Sequence, residues 1–321
     1  MKILSLLILI SGFLIAAEPE AVKKPWRFKT TLGINLGQTV NQAFIGATNG
    51  VGFNPGFQFE EVIRLYSLPH EWRSELTLTE SWALSSPQTA FQKTTDSLNL
   101  KSSYLYHWLD WFGPYGSAKL RTSLFDGYDL EASPYTYRIT DAATGLQHPE
   151  TPSSPNGTFI FPLTKAFLPL ILEQDVGVFV QPYREDDLLL EFRTGVTARE
   201  NIAKGQRILT AVGVIYNDTP VRQLDNVYEL GPSIGTHFKG DLFEKKLSYR
   251  LSCDALWSFL QVPITSVDSA KQFSFDLSAG VGFNLLPWLA LNWQFKSIFN
   301  PAILDRVQIM SHLMLAVKFD H

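Results

Sequence analysis

The sequence predicts an all-β protein: an antiparallel up-and-down β-barrel that crosses a membrane with 12–14 strands, fourteen being slightly favoured. Three observations predict this fold. The N-terminus carries a short apolar segment, most of the chain alternates apolar and polar residues with a period of two, and the last segment alternates up to an aromatic residue. The alternating segments are about ten residues long, which is the length of a tilted strand that crosses a bilayer.

Composition excludes several other classes of protein. Of 321 residues, 45% are hydrophobic and only 18% are charged, against about 25% in an average soluble domain. So much apolar surface would collapse rather than stay disordered. Beyond the N-terminus no segment approaches the ~20 apolar residues of a transmembrane helix. The net charge of −4 gives no basic footprint for nucleic acid, so no nucleic-acid partner is expected.

The N-terminus predicts export. Residues 1–17 read MKILSLLILISGFLIAA, with Lys2 before a short apolar core and two alanines before Glu18, as in a secretory signal peptide. We expect cleavage after Ala17. The predicted organisation is a signal peptide over residues 1–17, a periplasmic segment over 18–25 and a barrel over 26–319.

The alternation is nearly ideal in two segments, which begin at Leu247 and Phe273. Each carries seven apolar residues on one face. Strands of a β-sandwich average about five or six residues, so faces of this length favour strands that meet lipid. Thirteen segments alternate in this way, at residues 26–36, 57–65, 72–82, 98–106, 114–125, 170–181, 187–199, 206–216, 222–238, 246–259, 272–285, 288–299 and 306–319.

The number of strands should be even if both termini lie in the periplasm. Either one of the thirteen segments is not a barrel strand, or a fourteenth lies within the long connection over residues 126–165. The region from Thr158 to Pro162 is the candidate for it. A connection of about forty residues is too long to be structureless in a compact domain, so we also expect it to fold over one mouth of the barrel.

Tryptophans fall near the ends of the alternating segments, which predicts the aromatic belts that flank the apolar band of membrane barrels. They are Trp26, Trp72, Trp108, Trp111 and Trp288 near segment starts or turns, and Trp82 and Trp257 near segment ends.

The C-terminal segment from His312 to Phe319 alternates and resembles the closing strand of bacterial outer-membrane barrels. That resemblance implies that the barrel-assembly machinery is a partner and recognises the strand ending at Phe319. In such strands the aromatic is the last residue, whereas here Asp320 and His321 follow it.

A second resemblance concerns the first half of the chain. The stretch from Phe91 to Leu98, a Tyr-rich segment and then Gly127-Tyr128 resemble uncharacterised single-barrel outer-membrane proteins of Gram-negative bacteria, as do Gly37–Thr39 and Gly46–Gly50. The family's tryptophan and double glycine are replaced by Phe44–Ala47. The resemblance implies a location in the outer membrane, in contact with its lipid. No functional residue can be transferred, because the family has no established activity.

No catalytic, cofactor-binding or metal-ligating motif is found, and no cofactor is expected. The six histidines include no pair at metal-ligand spacing. His148 shares the long connection with Asp129, Glu131 and Asp141, where a rim site of an enzyme acting on lipid or peptide is conceivable. The ordinary interpretation of His148 is a solvated loop residue.

The alternation also predicts which charged residues face the interior. The candidate lumen-lining residues are Arg64, Arg73, Glu75, Lys101, Lys119, Arg121, Glu191, Arg193, Arg250, Asp254, Asp276 and Lys296. Six further charged residues fall on the same face: Arg27, Lys29, Arg199, Glu60, Asp225 and Glu229.

These charges favour a narrow channel or transport barrel for small solutes, with a modest preference for anions because cations outnumber acids. The alternative is a structural or assembly-accessory barrel whose inward charges pair and fill the lumen, and whose loops bind an unknown soluble partner. An enzyme is the third hypothesis.

Overall fold

The computed structural model describes residues 25–35, 38–42, 50–53, 55–84, 91–131, 136–141, 144–152, 159–185, 188–210, 219–262, 272–301 and 303–320. The predicted signal peptide and almost all of the predicted segment over 18–25 lie outside these ranges. No helix in the described ranges is long and apolar enough to cross a membrane.

The described residues form strands throughout. In chain order these are β1 (Trp26–Asn35), β2 (Gln38–Gln42), β3 (Gly50–Phe53), β4 (Gly56–Ser67), β5 (His70–Leu84), β6 (Phe91–Tyr106), β7 (Phe112–Thr122), β8 (Gly127–Glu131), β9 (Tyr137–Asp141), β10 (Gln147–Glu150), β11 (Phe159–Thr164), β12 (Leu170–Arg184), β13 (Leu188–Ile202), β14 (Arg207–Leu209), β15 (Thr219–Gln223), β16 (Val227–Leu242), β17 (Leu247–Trp257), β18 (Leu260–Val262), β19 (Phe273–Leu286), β20 (Leu289–Asn300) and β21 (Leu304–Asp320).

Twelve of these strands close into an antiparallel barrel, in the order β1-β4-β5-β6-β7-β12-β13-β16-β17-β19-β20-β21. The ring closes because β21 also pairs with β1, from Lys29 opposite Asp320 to Ile34 opposite Leu315. Further along β21, β2 continues the line of β1, and β3 pairs with β2. In the same way β18 continues β17 along β16. The predicted antiparallel up-and-down barrel is confirmed, since closure leaves no unpaired sheet edge.

The favoured count of fourteen strands is wrong, and the reason lies in two connections. The described part of the alternating segment at 206–216, residues 206–210, contains β14, which pairs with β15 outside the barrel. The strand expected around Thr158 to Pro162 exists as β11, but it pairs with β8 in a separate two-stranded sheet. A period of two is common to strands in a barrel wall and strands in a folded connection, so the pattern alone cannot separate them.

The two longest connections fold together beyond one end of the barrel. β9 and β10 come from the first connection, β14 and β15 from the second, and they form one four-stranded sheet. This sheet packs against β11 of the two-stranded sheet through a core of four buried side chains, Tyr137, Ile139, Phe161 and Val221. At the opposite end, neighbouring strands are joined by short turns such as Leu68-Pro69.

The outer face of the barrel is apolar and exposed. Val176 in mid-β12 is 64% exposed and Ile234 in mid-β16 is 65% exposed. Aromatic side chains lie at both ends: Trp26 packs edge-on against Trp72 at the short-turn end, with ring centroids 5.7 Å apart. A continuous exposed aliphatic face between aromatic ends is the surface that a lipid bilayer requires.

Candidate functional site: the charged interior of the barrel

The interior of the barrel is crossed by ion pairs between strands that are not neighbours. Arg73 on β5 reaches Glu191 on β13, with 2.8 Å between Nη1 and Oε2. Lys119 on β7 reaches Asp254 on β17, with 2.7 Å between Nζ and Oδ2. Only side chains that point inward can meet across the ring, so the alternation sets the face of all four residues.

Two further crossings lie beside these. Arg250 on β17 contacts Glu75 on β5 and Glu60 on β4, each at 3.3 Å. Arg121 on β7 donates to Asp276 on β19, as a fourth link across the ring.

The other predicted interior residues occupy the same face. Asp276 also has Lys296 at 3.9 Å, and Arg193 bonds Glu191 at 2.6 Å. Lys101 lines a cavity inside the barrel, beside Lys119, Glu173 and Asp254. Arg64 stands directly opposite Arg73 in the register of β4 and β5. Asp225 does not belong with them, because it lies in the connection between β15 and β16 rather than on a barrel strand.

Several interior residues escaped the sequence analysis. Glu71 accepts from Arg73 at 2.6 Å, Arg184 at 2.9 Å and His107 at 3.1 Å. The alternation includes Glu71, which is two residues before Arg73 and therefore on the same face. The predicted segment, however, begins one residue later, at Trp72. Four further interior residues were also missed: Glu173, Asp175, His237 and Lys239.

One side of the interior is closely packed. Glu191 is fully buried and accepts from Gln181 at 2.6 Å. The buried side chains of Leu105, Tyr115 and Phe179 fill the adjacent space. Next to them the Asp175 carboxylate accepts hydrogen bonds from the hydroxyl groups of Tyr115, Thr197 and Ser233. These hydrogen bonds and apolar contacts narrow this side of the lumen.

The other side retains accessible space. The Arg250 side chain is 53% exposed and the Glu75 side chain 40%, although both face inward. Small residues of β19 form the wall beside them; a methyl group added to Gly280 would meet only the Trp293 carbonyl oxygen, at 3.7 Å. By contrast, the cavity beside Asp175, Thr197 and Ser233 on the packed side measures only about 20 Å³, which holds about one water molecule. The lumen is therefore a narrow, off-centre polar space.

The mouth at the long-connection end is constricted. Glu229 accepts from Asn201, Ser258 and Asn300 at 3.1 to 3.4 Å, and Arg199 lies 3.5 Å from it. Above this layer a cluster of buried apolar residues packs on Ile171 of β12 and includes the start of β21, so it reaches across the opening: Ala203, Ile208, Leu224, Ile303 and Leu304.

The structure separates the residues of the conceivable rim site. His148 lies exposed on β10, whereas Asp129 on β8 is buried and accepts from Tyr137 at 3.1 Å. Asp141 accepts from the backbone N–H and the hydroxyl of Thr144. Among the described residues, no group of three or more His, Cys, Asp or Glu side chains could hold a metal ion.

A closed antiparallel barrel with an aliphatic exterior, aromatic ends and a charged interior defines a transmembrane β-barrel protein. No protein-family model matches the sequence, and no curated protein matches it. Solved structures are similar in fold only. An outer membrane channel from Pseudomonas putida F1 is 10% identical, with 95% of this chain and 100% of that chain covered and a TM-score of 0.39.

Two other solved structures have comparable similarity. The beta domain of the Bordetella autotransporter BrkA is 10% identical over 92% of this chain and 99% of that chain, with a TM-score of 0.38. The Pseudomonas putida toluene transporter TodX is 12% identical over 93% of this chain and 90% of that chain, with a TM-score of 0.34.

Proposed function

We propose that this protein is an outer-membrane barrel that conducts small hydrated solutes through a narrow passage. The observation that carries the proposal is the accessible charged surface inside the ring, at Arg250 and Glu75. A barrel that served only as a scaffold would be at least as stable with apolar side chains inside, since burying ion pairs costs desolvation energy. Charges that stay accessible inside the wall are instead suited to hydrated solutes.

The charge balance supports a preference for anions. Arg64, Lys101 and Lys239 face the interior, and none has a carboxylate within 4.0 Å among the described residues. Four other interior cations pair with acids: Arg73, Lys119, Arg121 and Arg250. Fixed positive charges in a low-dielectric wall attract anions, and the attraction weakens as salt shortens the Debye length below ~10 Å.

Bilayer measurements test the channel. Purified, refolded protein should give discrete conductance steps in a planar bilayer, with a reversal potential that favours chloride over potassium, more so at low salt. Because the apolar cluster constricts one mouth, removal of residues 206–223 should raise the conductance. A barrel that is folded, as shown by a heat-dependent shift in gel migration, yet passes no current in either form would contradict the proposal.

We also propose that the protein lies in the outer membrane, where a channel of this kind would act. The exposed aliphatic exterior requires a bilayer, and the predicted signal peptide supplies the route out of the cytoplasm. Outer-membrane lipid and the assembly machinery would then be its partners. Cell fractionation should recover the protein with outer-membrane markers; recovery in the soluble periplasm would contradict it.

A structural barrel is the second candidate, and the packed side of the lumen favours it. Fully buried Glu191 and the Leu105–Tyr115–Phe179 cluster close that side. The four-stranded sheet of β9, β10, β14 and β15 would then be the surface that binds a partner. Two results together would support this role over the channel: the folded barrel passes no current, and cells that lack the protein have a weakened envelope.

A further inference from the structure

Two pairs of cations face each other near the short-turn end of the lumen. Arg64 is opposite Arg73 in the register of β4 and β5, and Lys239 is opposite Arg250 in the register of β16 and β17. Like charges directly opposite on one face are destabilising. The two pairs face each other across the lumen, because Arg250 contacts Glu75 on β5, the strand of Arg73, and Glu60 on β4, the strand of Arg64.

A second set of like-charged pairs lies further along the barrel and is resolved differently. There Lys101 is opposite Lys119, and Asp254 is opposite Asp276. The basic pair faces the acidic pair, and Lys119 bonds Asp254 at 2.7 Å. Here the acidic pair neutralises the basic pair. Near the short turns, in contrast, the basic pair Arg64 and Arg73 faces a second basic pair, Lys239 and Arg250.

Carboxylates neutralise only two of the four cations at the short-turn end. Arg73 contacts Glu71 and Glu191, and Arg250 contacts Glu60 and Glu75. Arg64 and Lys239 have no carboxylate within 4.0 Å among the described residues. Arg64 is exposed and Lys239 is partly buried. Because Arg184 also contacts Glu71 and Arg193 also contacts Glu191, these six cations share four carboxylates, which leaves two positive charges uncompensated at the edge of an accessible space.

We propose that Arg64 and Lys239, framed by Arg73 and Arg250, form a binding site for a doubly charged tetrahedral oxyanion, a phosphate or a phosphoryl group of a small solute. The inference rests on the proposed channel and names the class of solute that it selects. Arginine donates two parallel hydrogen bonds to such an anion, and lysine acts as a compact point charge. A dianion would cancel the charge that the carboxylates leave.

Binding is tested on the folded, detergent-solubilised barrel, so the result does not depend on conduction. Inorganic phosphate at pH 8 and constant ionic strength should raise the unfolding temperature, while chloride at the same ionic strength should not. The Arg64→Gln/Lys239→Gln variant should bind phosphate at least tenfold more weakly. Lys246→Gln removes one exposed charge in the turn at the same end and should leave binding unchanged.

Lys239→Arg keeps the charge and should retain binding within a few-fold, which guards against a variant that merely misfolds. A parallel titration with glycerol phosphate separates the two sources: binding of both assigns recognition to the phosphoryl group, and binding of inorganic phosphate alone assigns it to the free anion. An equal shift for wild type and the double variant, or none for either, would overturn the site. Phosphate binding without any bilayer conductance would instead overturn the channel and leave the site standing.

Discussion

Lys119 shows how single residues are held in this barrel. Its ammonium lies 2.8 Å from Glu173 and 2.7 Å from Asp254, so two carboxylates replace the water that the strand excludes. Adjacent residues of a strand face different surroundings. On β17 Arg250 points into the barrel, whereas the next residue, Leu251, is 43% exposed on the outer face. Polar side chains inside and aliphatic side chains outside are the reverse of a soluble protein, because the solvent outside is lipid.

Adjacent residues of β19 make this contrast measurable. Leu277 lies on the lipid face at the middle of the strand, while Ser278 faces inward and bonds Ser252 at 2.7 Å. Leu277→Arg should destabilise the barrel by about 2–4 kcal/mol. Ser278→Arg, the matched control, should cost about 1 kcal/mol for the lost hydrogen bond. Urea unfolding in lipid vesicles measures both, and equal costs would show that the two faces are assigned wrongly.

At the scale of elements, β21 is the strand on which closure depends. It pairs with β20 along most of its length, with β1 at its C-terminal end and with β2 further back. A strand with partners on both sides leaves no backbone N–H or C=O group to face lipid, where each unpaired group costs several kcal/mol. The C-terminal end of β21 therefore stabilises the seam of the ring as well as a single hairpin.

The final residues of β21 give a prediction about assembly. Phe319 stands opposite Thr30 of β1 in the closing register. Phe319→Ala should lower the amount of folded barrel in the outer membrane, because the assembly machinery is expected to recognise the terminal aromatic. Removal of Asp320 and His321, which makes Phe319 the last residue, should preserve or raise that amount. The heat-dependent shift in gel migration reports folding in both strains; equal loss in both would point to the length of β21 rather than its aromatic.

For the whole molecule, the interior divides into a packed side and an accessible side. Ion pairs from β7 to β17 and from β7 to β19 tie opposite walls together, while Arg250 and Glu75 stay open to the lumen beside them. In the proposed channel, selectivity would depend on the sum of fixed charges along the passage rather than on any single pair.

Removal of two balanced cations should change that sum. Lys119→Ala/Arg121→Ala leaves Asp254 and Asp276 without their partners across the ring, so the preference for chloride should fall or reverse. Reversal potentials in a potassium chloride gradient measure it. The charge-balanced control adds Asp254→Asn and Asp276→Asn and should restore the wild-type preference. A wild-type channel selective for cations would contradict the assignment of the interior charges.

The sequence by itself determined the class of fold and the faces of the strands. A predicted signal peptide, a period of two and long apolar faces together predict a closed barrel, since lipid accepts no open sheet edge. Parity then places residues such as Arg73, Lys119 and Asp254 inside without any knowledge of their partners. Parity also puts Glu71 and Glu173 inside: Glu71 lies one residue before the predicted segment that begins at Trp72, and Glu173 lies on the inward face of the predicted segment at 170–181.

Only the tertiary structure decided which strands belong to the ring and which charges meet. The residues of β11 and β14 alternate as barrel strands do, but pair with other connections because their neighbours in space, not their pattern, supply the hydrogen bonds. Likewise, the alternation gives Arg64 and Arg73 the same face, but the partner of each depends on strand number and stagger. Strand number and stagger place Arg64 and Lys239 beyond the reach of a carboxylate partner among the described residues. No local sequence pattern could have predicted this.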